Sequence, residues 1–92
     1  MNKKNNFRTL ERLVRGFANH KRMEILELIK ERPELSVTEI AEAIRMNIKT
    51  AADHIRRLTI AGMLLKKGDG AAVRHKLTDR AEHVLRFLKS LE

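Results

Sequence analysis

Apolar residues recur at helical spacing in five stretches of the chain. In the first stretch, Phe7 begins a pattern of apolar residues three or four positions apart, which predicts a helix from about residue 7 to residue 17. A second helix, capped by Asn19, should end before Pro33, because a residue that precedes proline avoids the helical region. The apolar stripe of this second helix contains Met23, Ile25, Leu26 and Ile29.

The middle of the chain predicts two helices joined by a tight turn. Ser36 and Glu39 form a capping box, in which each residue's backbone N–H donates to the other's side chain. Asn47 can cap a longer, basic helix over residues 48–61. This helix should bury Ala51, Ile55 and Leu58. A short helix, a turn and a longer basic helix are the layout of a DNA-binding helix-turn-helix.

The remaining residues predict a β-hairpin and a closing helix. Residues 63–77 contain two short strand patterns around Gly68-Asp69-Gly70, which favours a turn. Thr78 or Asp79 should cap a fifth helix, whose apolar stripe is Ala81, Val84, Leu85, Leu88 and Leu91, with Phe87 beside it. The predicted fold class is therefore mainly α with a small β-hairpin, a winged helix-turn-helix in the order α-α-α-α-β-β-α.

Length and composition predict a single domain over residues 1–92. The chain has no cysteine, which excludes disulfides, thiolate metal sites and cysteine nucleophiles. The basic start is not followed by the apolar run that an export signal has. No apolar run in the sequence is long enough to span a bilayer. We therefore expect a cytoplasmic protein that does not contact membranes. Residues 1–6 are expected to form a flexible basic tail, although Lys3, Lys4 and Arg8 could also reach phosphates.

The charges are unevenly distributed along the chain. The formal net charge is +8, and residues 1–22 carry seven lysines and arginines against one glutamate. Residues 23–44 are acidic, whereas the predicted fourth helix and the hairpin are basic again. Such separation is typical of proteins that bind polyanions, since neutralising phosphates releases counterions.

The candidate DNA-contacting residues lie on the fourth helix and on the hairpin. They are Lys49, Thr50, Ala52, Asp53, His54, Arg56 and Arg57 on the helix, and Lys66, Lys67, Arg74 and Lys76 on the hairpin. The alternative for the helix is a solvated face held by ion pairs of Asp53 with Lys49 and Arg57. For His54, a phosphate donor and a half-buried side chain bonded to backbone both stay open.

Four stretches resemble the ArsR-like transcription regulators, and the order of the predicted elements matches that family from about Phe7 to Leu91. They are residues 18–26 (ANHKRMEIL), 34–41 (ELSVTEIA), 54–64 (HIRRLTIAGML) and 75–78 (HKLT). The resemblance implies a winged helix that dimerises through its first and last helices. This chain departs from the family at Ala52 and Asp53, where a hydroxyl and a basic residue are common, and at Ala71, where an arginine is frequent.

The resemblance also bears on metal binding. Metal-sensing relatives place two cysteines where this chain has Ser36 and Thr38, so that site is absent. A second family site uses carboxylates and histidines of the closing helix. Asp79 and His83 are one turn apart, but Lys89 and Ser90 replace the further ligands. We therefore expect no metal and no cofactor.

Two apolar stripes at opposite ends of the chain predict a homodimer interface. The stripes comprise Phe7, Leu10, Val14 and Phe17 at one end, and Val84, Phe87, Leu88 and Leu91 at the other. The alternative is that these residues complete the core of a monomer.

We interpret the chain as a dimeric, non-enzymatic transcription regulator. It would read an inverted-repeat operator in double-stranded DNA with helix 48–61 in the major groove and hairpin 63–77 as the wing. Two alternatives stay open: a winged helix used for protein interaction, and a sequence-independent architectural DNA binder. The sequence identifies no small-molecule effector.

Overall fold

The computed structural model describes residues 6–68, 70 and 73–92. Five helices and a two-stranded hairpin follow one another in the predicted order, which confirms the fold class. The elements are α1 (Phe7–Phe17), α2 (His20–Glu31), α3 (Val37–Ala43), α4 (Ile48–Ile60), β1 (Leu64–Lys67), β2 (Arg74–Leu77) and α5 (Asp79–Ser90). Four residues named above lie outside the described residues: Asp69 of the hairpin turn, Ala71, and the tail residues Lys3 and Lys4.

The predicted helix caps are confirmed. The Asn19 side chain accepts a hydrogen bond from the backbone N–H of Arg22 at 3.1 Å. In the capping box, the N–H of Ser36 donates to Glu39 Oε1 at 2.8 Å, and the N–H of Glu39 donates to Ser36 Oγ at 3.2 Å. At the start of α5 the capping residue is Thr78, which accepts from the N–H of Ala81. Local sequence therefore sets where these helices begin.

The core lies between α2, α3, α4 and the first residues of the hairpin. Its fully buried large side chains are Ile25, Leu26, Ile29, Ile40, Leu58, Met63 and Leu64. Leu13 packs against this core from α1. Phe17 differs from the other residues of the predicted α1 interface stripe, because it is only 8% exposed and belongs to the core.

The hairpin is antiparallel, with Leu64 opposite Leu77 and Lys67 opposite Arg74. A feature that periodicity did not predict fixes it to the helices: Leu35 forms a bridge with His75 of β2. The N–H of His75 donates to the carbonyl of Leu35 at 3.0 Å, and the buried His75 ring hydrogen-bonds to the same oxygen through Nδ1 at 2.9 Å. The segment between α2 and α3 thereby anchors the wing.

Candidate nucleic-acid interface

Helix α4 has one buried face and one polar face, as predicted. The Asn47 side chain accepts from the N–H of Lys49 at 2.8 Å and from that of Thr50 at 3.4 Å. Opposite the buried residues, α4 exposes Lys49, Thr50, Ala52, Arg56 and Arg57. The buried face therefore orients five of the seven candidate residues of this helix toward solvent, and Asp53 and His54 are half-buried. Ile48, which the sequence interpretation did not single out, is also exposed at the start of the helix.

Asp53 forms ion pairs with two arginines that follow it in α4. Its carboxylate accepts from Arg56 Nη2 at 2.6 Å and from Arg57 Nε at 3.1 Å. The hydrogen bonds from Arg56 and then from Arg57 lower the pKa of the Asp53 carboxyl. The pair with Arg57 was predicted, but in the described part of the chain Arg56 takes the place predicted for Lys49. Asp53 thus neutralises part of the cationic face.

His54 is half-buried, as one of its two interpretations expected, but it bonds to a side chain, and its role as a phosphate donor stays a prediction. Its ring is half-buried, and Nδ1 accepts a hydrogen bond from Arg22 Nε at 3.1 Å rather than bonding to backbone. Burial, followed by the charge of Arg22, lowers the pKa of His54. With Nδ1 accepting, the neutral ring carries its proton on Nε2.

Arg22 is the functional neighbour that sequence reasoning missed. Its Nη1 donates to the carbonyls of Arg15 at 3.0 Å and Gly16 at 3.1 Å, at the carboxyl end of α1. A cation is favourable there because the last carbonyls of a helix carry partial negative charge. Arg22 therefore connects α1 and α2 to α4 through His54. No spacing rule predicts a contact across 32 residues of sequence.

The basic residues of the wing differ in how they are held. Arg74 Nη1 donates to Glu39 Oε1 at 2.7 Å, which couples the wing to the capping box of α3. Lys67 Nζ lies 3.5 Å from Glu34 Oε2. Lys66 and Lys76 are exposed, and neither forms an ion pair within the described residues.

The comparison with known protein families agrees with this geometry. Residues 19–64, half of the chain, match the family described as winged helix-turn-helix DNA-binding. The chain belongs to this family. The match extends from the cap of α2 through the helix-turn-helix to the first residue of β1. The match confirms the winged-helix resemblance and establishes that residues 19–64 belong to a DNA-binding domain.

Solved structures of winged-helix proteins share the fold. A possible transcriptional regulatory protein (fragment 1–100) from Mycobacterium bovis has a TM-score of 0.83 at 22% identity, covering 98% of this chain and 97% of that one. The homodimeric winged helix-turn-helix domain of Mb0332 from Mycobacterium bovis, described as a possible ArsR-family regulator, has a TM-score of 0.80 at 21% identity, covering 99% and 87%. HlyU from Vibrio cholerae has a TM-score of 0.78 at 21% identity, covering 96% of each chain. No curated protein sequence matches this chain.

The winged-helix domain exposes apolar side chains on its first and last helices. Phe7 is 76% exposed, and Leu10 and Val14 are exposed on the same face of α1. On α5, Phe87 is 58% and Leu91 66% exposed, whereas Val84 and Leu88 are half-buried. These five exposed side chains, Phe7, Leu10 and Val14 on α1 and Phe87 and Leu91 on α5, are together called the apolar surface below.

The candidate metal ligands do not gather into a site. Asp79 and His83 are both exposed on α5. Among residues 6–68, 70 and 73–92, no group of three or more histidine or acidic side chains could hold a metal ion. Over the same residues, no helix combines the length and the hydropathy that crossing a bilayer requires.

Proposed function

We propose that this winged-helix domain is a transcription regulator that binds an inverted-repeat operator as a homodimer. The observation that carries the proposal is the exposed polar and cationic face of α4, the second helix of the motif. Family membership supports DNA as the ligand. A cytoplasmic location follows from such a role.

The two halves of α4 suit different contacts. Lys49, Thr50 and Ala52 occupy its first turns, where a helix inserted into the major groove approaches base edges. Arg56 and Arg57 follow, and their long side chains suit phosphates, which receive most protein–DNA hydrogen bonds. Exposed Ile48 adds an apolar side chain that could contact a thymine methyl group.

The hairpin would contact the backbone beside the groove. Lys66 and Lys76 are exposed and could contact phosphates directly. Arg74 would first have to leave Glu39, and Lys67 would have to leave Glu34. We therefore propose Lys66 and Lys76 as the principal wing contacts, and Arg74 as a residue that positions the wing.

The apolar surface supports the dimer. It lies on α1 and α5 and shares no residue with the polar face of α4, so we propose that two protomers associate without covering their reading helices. The Mb0332 domain is described as homodimeric, which supports a dimer. In a dimer, the two reading helices would enter the major groove about one turn of DNA apart, on the order of 34 Å.

Selection of bound sites from a random duplex library tests the function. We expect an inverted repeat, and an affinity whose logarithm falls linearly with the logarithm of salt concentration. Lys49→Gln should weaken binding, whereas Lys89→Gln, which removes the same charge from the last turn of α5, should leave it unchanged. Binding without base preference would instead support the architectural alternative. Absence of salt-dependent binding would support a protein-interaction module.

Sedimentation tests the dimer separately. Phe87→Lys places a charge on the apolar surface and should yield monomers that retain their helical content, because the side chain is mostly exposed in the protomer. Leu65→Lys, at a comparably exposed position of β1, is the matched control and should stay dimeric. A parent protein that is monomeric at micromolar concentration would contradict the proposal.

A further inference from the structure

A cleft lined by arginines lies between α1, the carboxyl half of α4 and the first turn of α5. Its volume is about 520 Å³, within the range of small-molecule binding sites. No carboxylate lines it in the described part of the chain. Six arginines do, and these are Arg12, Arg15, Arg22, Arg56, Arg57 and Arg80.

Two of these arginines are fixed by backbone contacts. Arg22 donates to the carbonyls at the end of α1, and Arg80 Nη1 donates to the carbonyl of Ala61 at 3.1 Å, at the end of α4. Carbonyl partners leave the full positive charge in place. Besides burial, the charge of Arg57 lowers the pKa of Arg22, as expected where like charges are close.

Among the residues that the structure describes, two carboxylates pair with these arginines, and both lie outside the cleft lining. Glu11 Oε2 lies 3.2 Å from Arg15 Nη2, and Asp53 forms ion pairs with both Arg56 and Arg57. Arg12 has no hydrogen bond or ion pair with a described residue. The cleft therefore has an excess of positive charge that an anion would neutralise.

Apart from Thr9 and Gly16, the rest of the lining is apolar. Leu13 and Ala61 line the cleft between the arginines, and Ile60 lies beside them although it is 74% exposed. The aliphatic stems of the arginines extend this apolar wall. A ligand that matches both parts has a charged group and an apolar body.

We propose that this cleft binds a small amphipathic anion, with a carboxylate, sulfonate or phosphate group on an apolar body. The guanidinium groups would bind the charged group through charge-assisted hydrogen bonds. Because Arg56 and Arg57 also belong to the polar face of α4, the anion and duplex DNA compete for them. This competition, unlike the anion site itself, rests on the function proposed above.

The cleft stays accessible in the proposed dimer. Thr9, Arg12, Leu13 and Gly16 line it from one face of α1. At 100° per residue, the mean direction of these four residues is roughly 140° around the helix from the mean direction of Phe7, Leu10 and Val14, and Arg15 lines the cleft from the side. Dimerisation through that surface therefore leaves the arginines open to a ligand.

Fluorescence titration with 8-anilinonaphthalene-1-sulfonate tests the site, in a buffer free of phosphate and sulfate. N-phenyl-1-naphthylamine, the same ring system without the sulfonate, is the neutral comparison. We expect saturable binding of one sulfonate probe per protomer, and affinity for the neutral compound weaker by about tenfold or more, as for loss of a charged hydrogen bond. Equal affinity for both probes would overturn the proposal.

Matched variants locate the bound probe. Ile60→Glu should weaken sulfonate binding by about tenfold, whereas Ile60→Gln, which differs by one charge, should change it less than about twofold. Arg12→Gln should also weaken binding, and Arg86→Gln, which removes an arginine from outside the cleft, should not. Circular dichroism establishes that each variant is folded. Equal affinities within both pairs would place the probe elsewhere and refute the site.

Displacement of the sulfonate probe by duplex DNA tests the competition. Selected duplex should release the probe, and addition of the probe should raise the apparent Kd of the duplex. If the probe binds as expected and the duplex binds without releasing it, the competition is wrong. If no duplex binds while the two pairs of matched variants bind the sulfonate probe as expected, the proposed function is wrong and the anion site is supported.

Discussion

Gly16→Ala should destabilise this protein, although the same change stabilises most helices. Alanine in place of glycine within a helix ordinarily gains about 0.5–1 kcal/mol, because the unfolded glycine loses more conformational freedom on folding. On α1, however, a Cβ at position 16 would lie 2.5 Å from Cβ of Ala61, at the end of α4. The absence of a side chain at Gly16 is what lets the two helices approach.

The cost can be estimated from the separation. Ordinary carbon contacts begin near 3.4 Å, so α1 and α4 would have to separate by roughly 1 Å. Overpacking of this kind costs about 1–3 kcal/mol, which leaves a net loss on the order of 1–2 kcal/mol after the gain in helix propensity. Separation would also strain the bonds from Arg22 to the carbonyls of Arg15 and Gly16.

Urea denaturation of four proteins measures the change in the free energy of unfolding. All four are compared at equal concentration, because the stability of a dimer depends on concentration. These are the parent, Gly16→Ala, Ala61→Gly and the double variant. After removal of the Ala61 methyl, the nearest atoms to the new Cβ are Arg57 O at 3.7 Å and Ala61 Cα at 3.8 Å, which are ordinary contacts. The double variant should therefore recover the loss caused by Gly16→Ala. A more stable Gly16→Ala protein, or effects that add within about 0.5 kcal/mol, would refute the reasoning.

Three further predictions concern the caps and the charges. Ser36→Ala should lower the free energy of unfolding by about 1 kcal/mol through loss of the capping box, while Thr38→Ala, at an exposed position of α3, should have a smaller effect in the same denaturation assay. Asp53→Asn should release Arg56 and Arg57 from their ion pairs and tighten binding to selected and scrambled duplexes alike. Titration of both duplexes at two salt concentrations measures this effect. Loss of discrimination at one base pair would mean instead that Asp53 reads a base. Folding lowers the pKa of His54, so the unfolded chain binds more protons than the folded one as the pH decreases below the ordinary value of 6.5. The free energy of unfolding should therefore fall with decreasing pH. His54→Gln should reduce the loss of stability measured between pH 7.5 and pH 5.

The elements of this fold could be predicted from the sequence because their signals are local. Helical spacing of apolar residues, the side-chain caps at Asn19, Ser36 and Asn47, and the stop at Pro33 involve residues within one or two turns of each other. The outward direction of the polar side chains of α4 followed from its buried stripe by the same short-range geometry. The four stretches of family resemblance lie along these elements, and the match over residues 19–64 confirms that the chain is a winged helix-turn-helix.

Tertiary structure decided what lies between the elements. Sequence spacing made Phe17 part of the same stripe as Phe7, but the packing of α1 buries one and exposes the other. Sequence spacing also did not predict that Gly16 faces Ala61, or that Arg22 contacts His54. The arginine cleft draws on four helices, α1, α2, α4 and α5, and its residues are scattered from position 9 to position 80. Local rules fix which face of an element is apolar, whereas the side chains that meet across elements depend on how helices pack, which no single stretch of sequence encodes.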